Sequence, residues 1–234
     1  MIESARGIEF LAWLEVNKKR LIAGAVVVAL LVSGLAIYRW RADQREIAAN
    51  SELVRIQVLQ ANPATGSSGP KAEQYLEFST QHRGTQAGRQ AVYLAAVAFF
   101  RESKYAESQA NFETFRTANP GDPLAASAAF GVAACLEATG KTEEAIAANR
   151  EVIAIHPESA AAAQARLSLA GLLESKNESE QALQLYEQLL NTTWMNEAET
   201  RRQAILARHP ELAPTNSPPT DSAIPGLTVT PPAS

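Results

Sequence analysis

The strongest pattern in the chain is an unbroken apolar run, Leu21 to Tyr38 (LIAGAVVVALLVSGLAIY), 18 residues without a charge. At about 1.5 Å per residue, a helix of that length approaches the hydrocarbon thickness of a bilayer. Lys18, Lys19 and Arg20 fence one end. Tyr38, Arg39, Trp40 and Arg41 fence the other, with rings and guanidinium groups interleaved as at a membrane–water interface. The pattern predicts a transmembrane helix over 21–38. A cleaved signal peptide would use Leu21 to Ser33 as its core and Gly34-Leu35-Ala36 as its cleavage site, but the run is long for such a core. A buried helix of a soluble domain fits the flanks less well. Ahead of the run, residues 1–20 contain Ile8 to Val16, which reads as a short helix lying at the interface.

Residues 39–84 read as a juxtamembrane helix followed by a short one. Helical character continues from Ala42 to Ala61, with Leu53, Ile56, Val58 and Leu59 as an apolar stripe, and Asn62-Pro63 stops it. Ala64 to Pro70 is a loop. Lys71 to His82 is a second helix carrying Tyr75, Leu76 and Phe78, closed by Gly84.

The next hundred residues repeat. Pro120 and Pro157 lie 37 apart, and Ser108, Ala145 and Ala182 keep the same spacing. Acidic residues stand near each small residue (Glu107, Glu143 with Glu144, Glu178 with Glu180), where a first helical turn favours negative charge. In this register Ala91–Pro120, Ala128–Pro157 and Ala165–Trp194 each read as helix, polar turn, helix. The turns fall at Glu102–Lys104, Thr139–Lys141 and Ser175–Asn177, and Asp122-Pro123 offers an N-cap with proline at the first helical position. An internal period of this size means stacked supersecondary units. The predicted fold is all-α: three repeats over 85–195, a capping helix over 196–212 with Ala204, Ile205 and Leu206 apolar, and a Pro-rich tail over 213–234 expected to be disordered.

Composition supports closely packed helices, since alanine is frequent and aromatics make up 6 %. A net charge of −4 without a basic stripe beyond the membrane flanks argues against nucleic acid as a partner. Cys135 sits in an alanine-rich segment without a basic neighbour, so it reads as a small buried hydrophobe. His82, His156 and His209 each fall at a predicted helix end without a metal-ligand spacing. No phosphate loop or nucleophile motif is present. An enzyme is not expected, nor a cofactor, a metal or a small-molecule substrate.

The repeat resembles the tetratricopeptide repeat (TPR). The small pair of that pattern is matched by Ala95-Ala96, Val132-Ala133 and Leu169-Ala170, and its bulky position by Phe99, Leu136 and Leu173. Its small residue in the second helix is matched by Ser108, Ala145 and Ala182, and its later aromatic by Phe112 and Tyr186, with Asn149 departing. Where the pattern has alanine late in the second helix, this chain has Phe115, Val152 and Leu189, and the closing proline is missing from the third unit. The resemblance implies protein partners and a groove lined by first helices. Carried residue by residue, it puts Gln90, Tyr93, Val97 and Phe100 in that groove from the first unit, Phe130 and Glu137 from the second, and Gln164, Leu167 and Glu174 from the third. Lys and Arg of a carboxylate clamp are absent there.

The layout from Phe10 to Gln60, with its Tyr38-Arg39-Trp40 edge, also resembles the ancillary SecYEG translocon subunit (YfgM-like) family of bacterial inner membranes. That resemblance implies an adaptor that meets the translocon, chaperones or unfolded clients. Positive flanks tie at four each: Arg6, Lys18, Lys19 and Arg20 against Arg39, Arg41, Arg45 and Arg55. The compact cluster Lys18-Lys19-Arg20 favours a cytoplasmic N-terminus, with the repeats extracytoplasmic. A cytoplasm-facing receptor of reversed topology is the alternative.

Overall fold

The computed structural model describes residues 3–60 and 69–213, and among them the regular secondary structure is all helical. In chain order the helices are α1 (Glu3–Gln60), α2 (Ala72–Gln81), α3 (Gln86–Arg101), α4 (Tyr105–Ala118) and α5 (Ala125–Ala138). They continue with α6 (Thr142–Ile155), α7 (Ala160–Ser175), α8 (Ser179–Gln188) and α9 (Met195–Arg208), and a 3-10 turn at Pro210–Leu212 ends the described chain. The segment expected as a loop at 64–70 is described only at its end, and the expected disordered tail lies outside the described residues from 214 onward. The chain divides into two compact units, 1–135 and 136–234, with the division inside α5.

In the first unit, α1 is one helix of 58 residues, so the interfacial, spanning and juxtamembrane segments read from the sequence are continuous. From Ile22 to Tyr38 every large apolar side chain described is between 52 % and 72 % exposed. Further along, Ala49 and Leu53 are buried against Tyr75 and Phe78 of α2 and against Ala91, Ala95 and Phe99 of α3, with Ile56 half-buried beside them. These positions are spaced i, i+4, i+7, one face of a helix. Val58, predicted to share that stripe, is 67 % exposed. It lies two residues past Ile56, roughly 200° around the helix.

A carboxylate on α1 joins this packing. Glu46 Oε2 accepts from the Gln86 backbone N–H at 2.7 Å and Oε1 from that of Ala87 at 3.0 Å. Thr85 Oγ1 accepts from Gly88 N–H at 2.9 Å. The first turn of α3, which has no internal partners for these donors, is thus capped partly from a different helix.

The repeat register seen in the sequence is the register of burial. Ala95, Val132 and Leu169 are buried, as are Phe99, Leu136 and Leu173, and Ser108, Ala145 and Ala182 are fully enclosed. Phe112, Asn149 and Tyr186 form another buried row, and Phe115, Val152 and Leu189 a further one. Each large apolar member contributes about 1.5–3 kcal/mol by leaving water. The turns repeat as well: Ser103, Gly140 and Asn177 all have positive φ, at 60°, 74° and 63°. At each, the following N–H reaches back five residues, Lys104 to Phe99, Lys141 to Leu136 and Glu178 to Leu173, at 2.9 Å in all three. The third turn is therefore Lys176–Glu178, one residue later than the sequence suggests.

Within the first unit α4 meets α5 closely: a Cβ added to Gly131 would sit 2.5 Å from the Phe112 ring. The Cys135 thiol donates to Ser108 Oγ at 3.2 Å, and Ser108 donates to the Ala96 carbonyl at 2.8 Å. Burial pushes that thiol's pKa up, which keeps it an inert core group. Asp122 caps the turn ahead of α5, accepting from Leu124 N–H at 2.8 Å, and the helix begins at Ala125. Pro123 thus stands in the turn and not at the first helical position. In the second unit, α6 packs on α7, α7 on α8, and α8 on α9 through buried Ala198 and Ile205. Of the apolar residues read in α9, Ile205 is enclosed, Leu206 half-buried and Ala204 exposed.

Candidate functional site

In the first unit, Gln90, Tyr93, Val97 and Phe100 follow a spacing of three, seven and ten along α3, which places them on one face. Gln90 is exposed, and the other three are half-buried. The Tyr93 ring meets Phe112 edge-on at 5.5 Å and Phe115 at 5.6 Å, and burial raises its phenol's pKa against a hydrogen bond from Ser127 that lowers it. Phe100 meets Tyr105 edge-on at 5.2 Å. Tyr93 is therefore shared between the face and the core, while Val97 and Phe130 are half-buried without such ring contacts.

In the second unit, Gln164, Leu167, Gly171 and Glu174 follow the same spacing along α7. A Cβ on Gly171 would meet nothing within 4 Å, so this face is open at its middle. Glu137 is exposed and accepts from Ser168 Oγ at 2.6 Å. Glu174 is engaged inside the unit: Tyr186 OH donates to it at 3.3 Å, and Arg208 of α9 pairs with its other oxygen. Tyr186 is pushed up to about 12, first by burial and then by the Glu174 carboxylate.

The structure adds a groove that the sequence reading did not single out. A cavity of about 340 Å³ lies over α7 between α6 and α8, floored by Ile153, Leu169, Leu173 and Leu185 and rimmed by Arg150 and Gln184. Leu169 and Leu173 are each two residues from Leu167 or Gly171, roughly 200° around α7, so this groove uses its opposite side. The visible trace in the sequence is the glutamine row Gln181, Gln184 and Gln188 flanking Leu185. Its spacing resembles an ordinary solvated stripe.

Ion pairs brace the hairpin turns. Lys104 reaches Glu102 at 2.7 Å and Glu73 at 2.9 Å, and Lys176 reaches Glu143 at 2.7 Å and Glu178 at 3.2 Å. Both lysines are held above the usual lysine range by those carboxylates. The three histidines cap helix C-termini; His82 lies 3.1 Å from Glu52 and His209 3.1 Å from Glu211. Among the described residues no three His, Cys, Asp or Glu side chains gather as a metal site.

Residues 93–160 match the tetratricopeptide repeat family model. No curated protein matches the chain. Among solved structures, it is similar to the Yersinia enterocolitica type III secretion translocator chaperone SycD, at 19 % identity and TM-score 0.44, covering 54 % of this chain and 94 % of that one. It is also similar to the CopN–Scc3 complex, at 17 % identity and TM-score 0.43 over 68 % of this chain and 96 % of that one. A Podospora anserina kinesin light chain with nearly identical TPR-like repeats gives 13 % identity and TM-score 0.47 over 73 % and 88 %. The match over 93–160 falls on hairpins whose buried rows and turns recur every 37 residues, and these hairpins are TPR-like.

Proposed function

We propose that this protein is a membrane-anchored adaptor that binds protein segments through its helical hairpins and assists secretion or envelope protein biogenesis beside the translocon of a bacterial inner membrane. The observation that carries the reading is α1. Its apolar stretch has its large side chains outward, whereas a core helix would bury them, and a sheath of that size on a soluble monomer would aggregate. The same helix runs without interruption into the packed repeats. In this reading residues 21–38 span the bilayer, the N-terminus is cytoplasmic and the repeats are extracytoplasmic. On the first unit the half-buried apolar residues Tyr93, Val97, Phe100 and Phe130 with Gln90, and separately on the second unit Leu167 with Glu137, Gln164 and Glu174, receive extended apolar polypeptide with little dependence on salt. Binding surfaces of this kind need no catalytic group.

Reporter fusions after Arg208 test the orientation. Alkaline phosphatase is expected to be active there and a cytosolic-type fluorescent protein dark; the opposite pattern establishes the reversed, cytoplasm-facing receptor. The binding face is tested by Gly171→Leu. The new side chain enters open space and replaces the poorest non-proline helix former, so stability is expected to hold or rise by up to about 1 kcal/mol. Client crosslinking is expected to fall at least tenfold. Normal crosslinking would remove the α7 face from the site.

A further inference from the structure

A cavity of about 500 Å³ lies between α1 and the α2–α3 turn, lined by Tyr38, Arg41, Asp43, Arg45, Glu46 and Arg83 among others. Tyr38, Arg41 and Arg45 are three and four residues apart on α1 and share a face. Arg83 comes from the turn, where Gly84, at φ +85°, reverses the chain. None of the three guanidinium groups has a hydrogen bond or an ion pair among the described residues. Like charges four apart on a helix repel, and Arg83 adds a third to the same cavity. Of the two carboxylates lining it, Glu46 gives both oxygens to the first-turn amides of α3. Glu46 and Asp43 both keep their charge, so three guanidinium groups share the cavity with two carboxylates and its lining carries an excess of positive charge. Tyr38 closes the apolar run of α1, so the cavity stands where that run meets the headgroup layer.

We infer that this cavity holds the phosphate of an anionic membrane-lipid headgroup. The inference rests on the anchored reading of α1. Guanidinium groups bind phosphate oxygens in pairs, two parallel N–H donors to two oxygens. Arg41 and Arg45 supply such donors from the helix and Arg83 from the facing turn, with Tyr38 also in the lining. A bound diester relieves the repulsion among the three and fixes the α2–α3 turn against the bilayer surface.

The test uses the full chain in phosphatidylcholine nanodiscs containing a minor fraction of photoactivatable phosphatidylglycerol, with labelled peptides read by mass spectrometry. Label is expected on the peptides carrying Tyr38–Glu46 and Arg83–Thr85. Each surface arginine contributes about fivefold to anionic-lipid affinity, so Arg45→Gln with Arg83→Gln should lower labelling roughly twenty-five-fold. Arg55→Gln, elsewhere on α1, should leave it unchanged. Equal labelling of the double variant, or equal loss with Arg55→Gln, overturns the site. Inorganic phosphate that abolishes labelling at millimolar concentration identifies a free-phosphate site and overturns the lipid. Carbonate extraction of membranes reads the anchor separately: a chain released by carbonate defeats the anchored reading and this inference with it, whereas a chain retained but unlabelled defeats only the lipid site.

Discussion

Ser103, Gly140 and Asn177 occupy equivalent points of three hairpins, all in the left-handed region. Glycine takes that conformation freely and asparagine tolerates it, but for serine it costs roughly 1–2 kcal/mol. Ser103→Gly is therefore expected to raise stability by about 1 kcal/mol in denaturant melts, with the slope unchanged. Gly140→Ala should lower it by a similar amount. Two of the three turns stand in the sequence where the structure has them. The third reads a residue early, because Ser175 resembles a turn residue while its hydroxyl bonds the Leu172 carbonyl within α7. Asn149 shows the converse. It departs from the aromatic of the repeat pattern, yet it keeps that position's burial, donating to the Ala145 carbonyl at 2.9 Å and to Ser168 at 3.3 Å. Its partner Ser168 lies on a different helix, and no local pattern encodes that pairing.

At the scale of elements, contacts between helices decide what no single segment reveals. Glu46 and the amides it caps are 40 and 41 residues apart, so nothing near either one marks the link. Glu46→Ala should cost about 1 kcal/mol, the usual worth of an N-cap. Hydrogen exchange at Gln86 and Ala87 should quicken, while the amides of α7 should be unaffected. Tyr186 links α8 to α7, and through Glu174 to Arg208 of α9. Its ordinary pKa of 10.0 rises to about 12 in the folded chain. A raised value means that its contribution is complete below pH 10 and lost as pH climbs from 10 towards 12. Tyr186→Phe should therefore flatten the alkaline limb of the melting-temperature profile without changing the acid limb. Glu174 was legible as a polar end of the α7 face; its engagement by Tyr186 and Arg208 was not, because each partner lies on a separate helix.

For the whole molecule, the all-helical architecture was legible because one period governs small residues, bulky residues and turns together. The interaction face was less so, since the pattern that buries Phe112 and Phe115 also draws Tyr93 inward. Residues 42–212, produced without the apolar run, are expected to fold as a soluble, almost wholly helical protein. Circular dichroism should show a cooperative melt, and β-structure or a melt without cooperativity would contradict the repeat architecture. The unbroken α1 has a kinetic consequence. Only about 17 Å of helix separates Tyr38 from Ala49, where the first repeat begins to pack. In the anchored reading, that makes α1 a mast and not a leash. A flexible tether would dilute its cargo-binding head through a hemisphere whose volume grows with its length. A mast confines the head to a thin sheet over the bilayer, so encounters depend on lateral density, and a polypeptide emerging beside it is met at a fixed height.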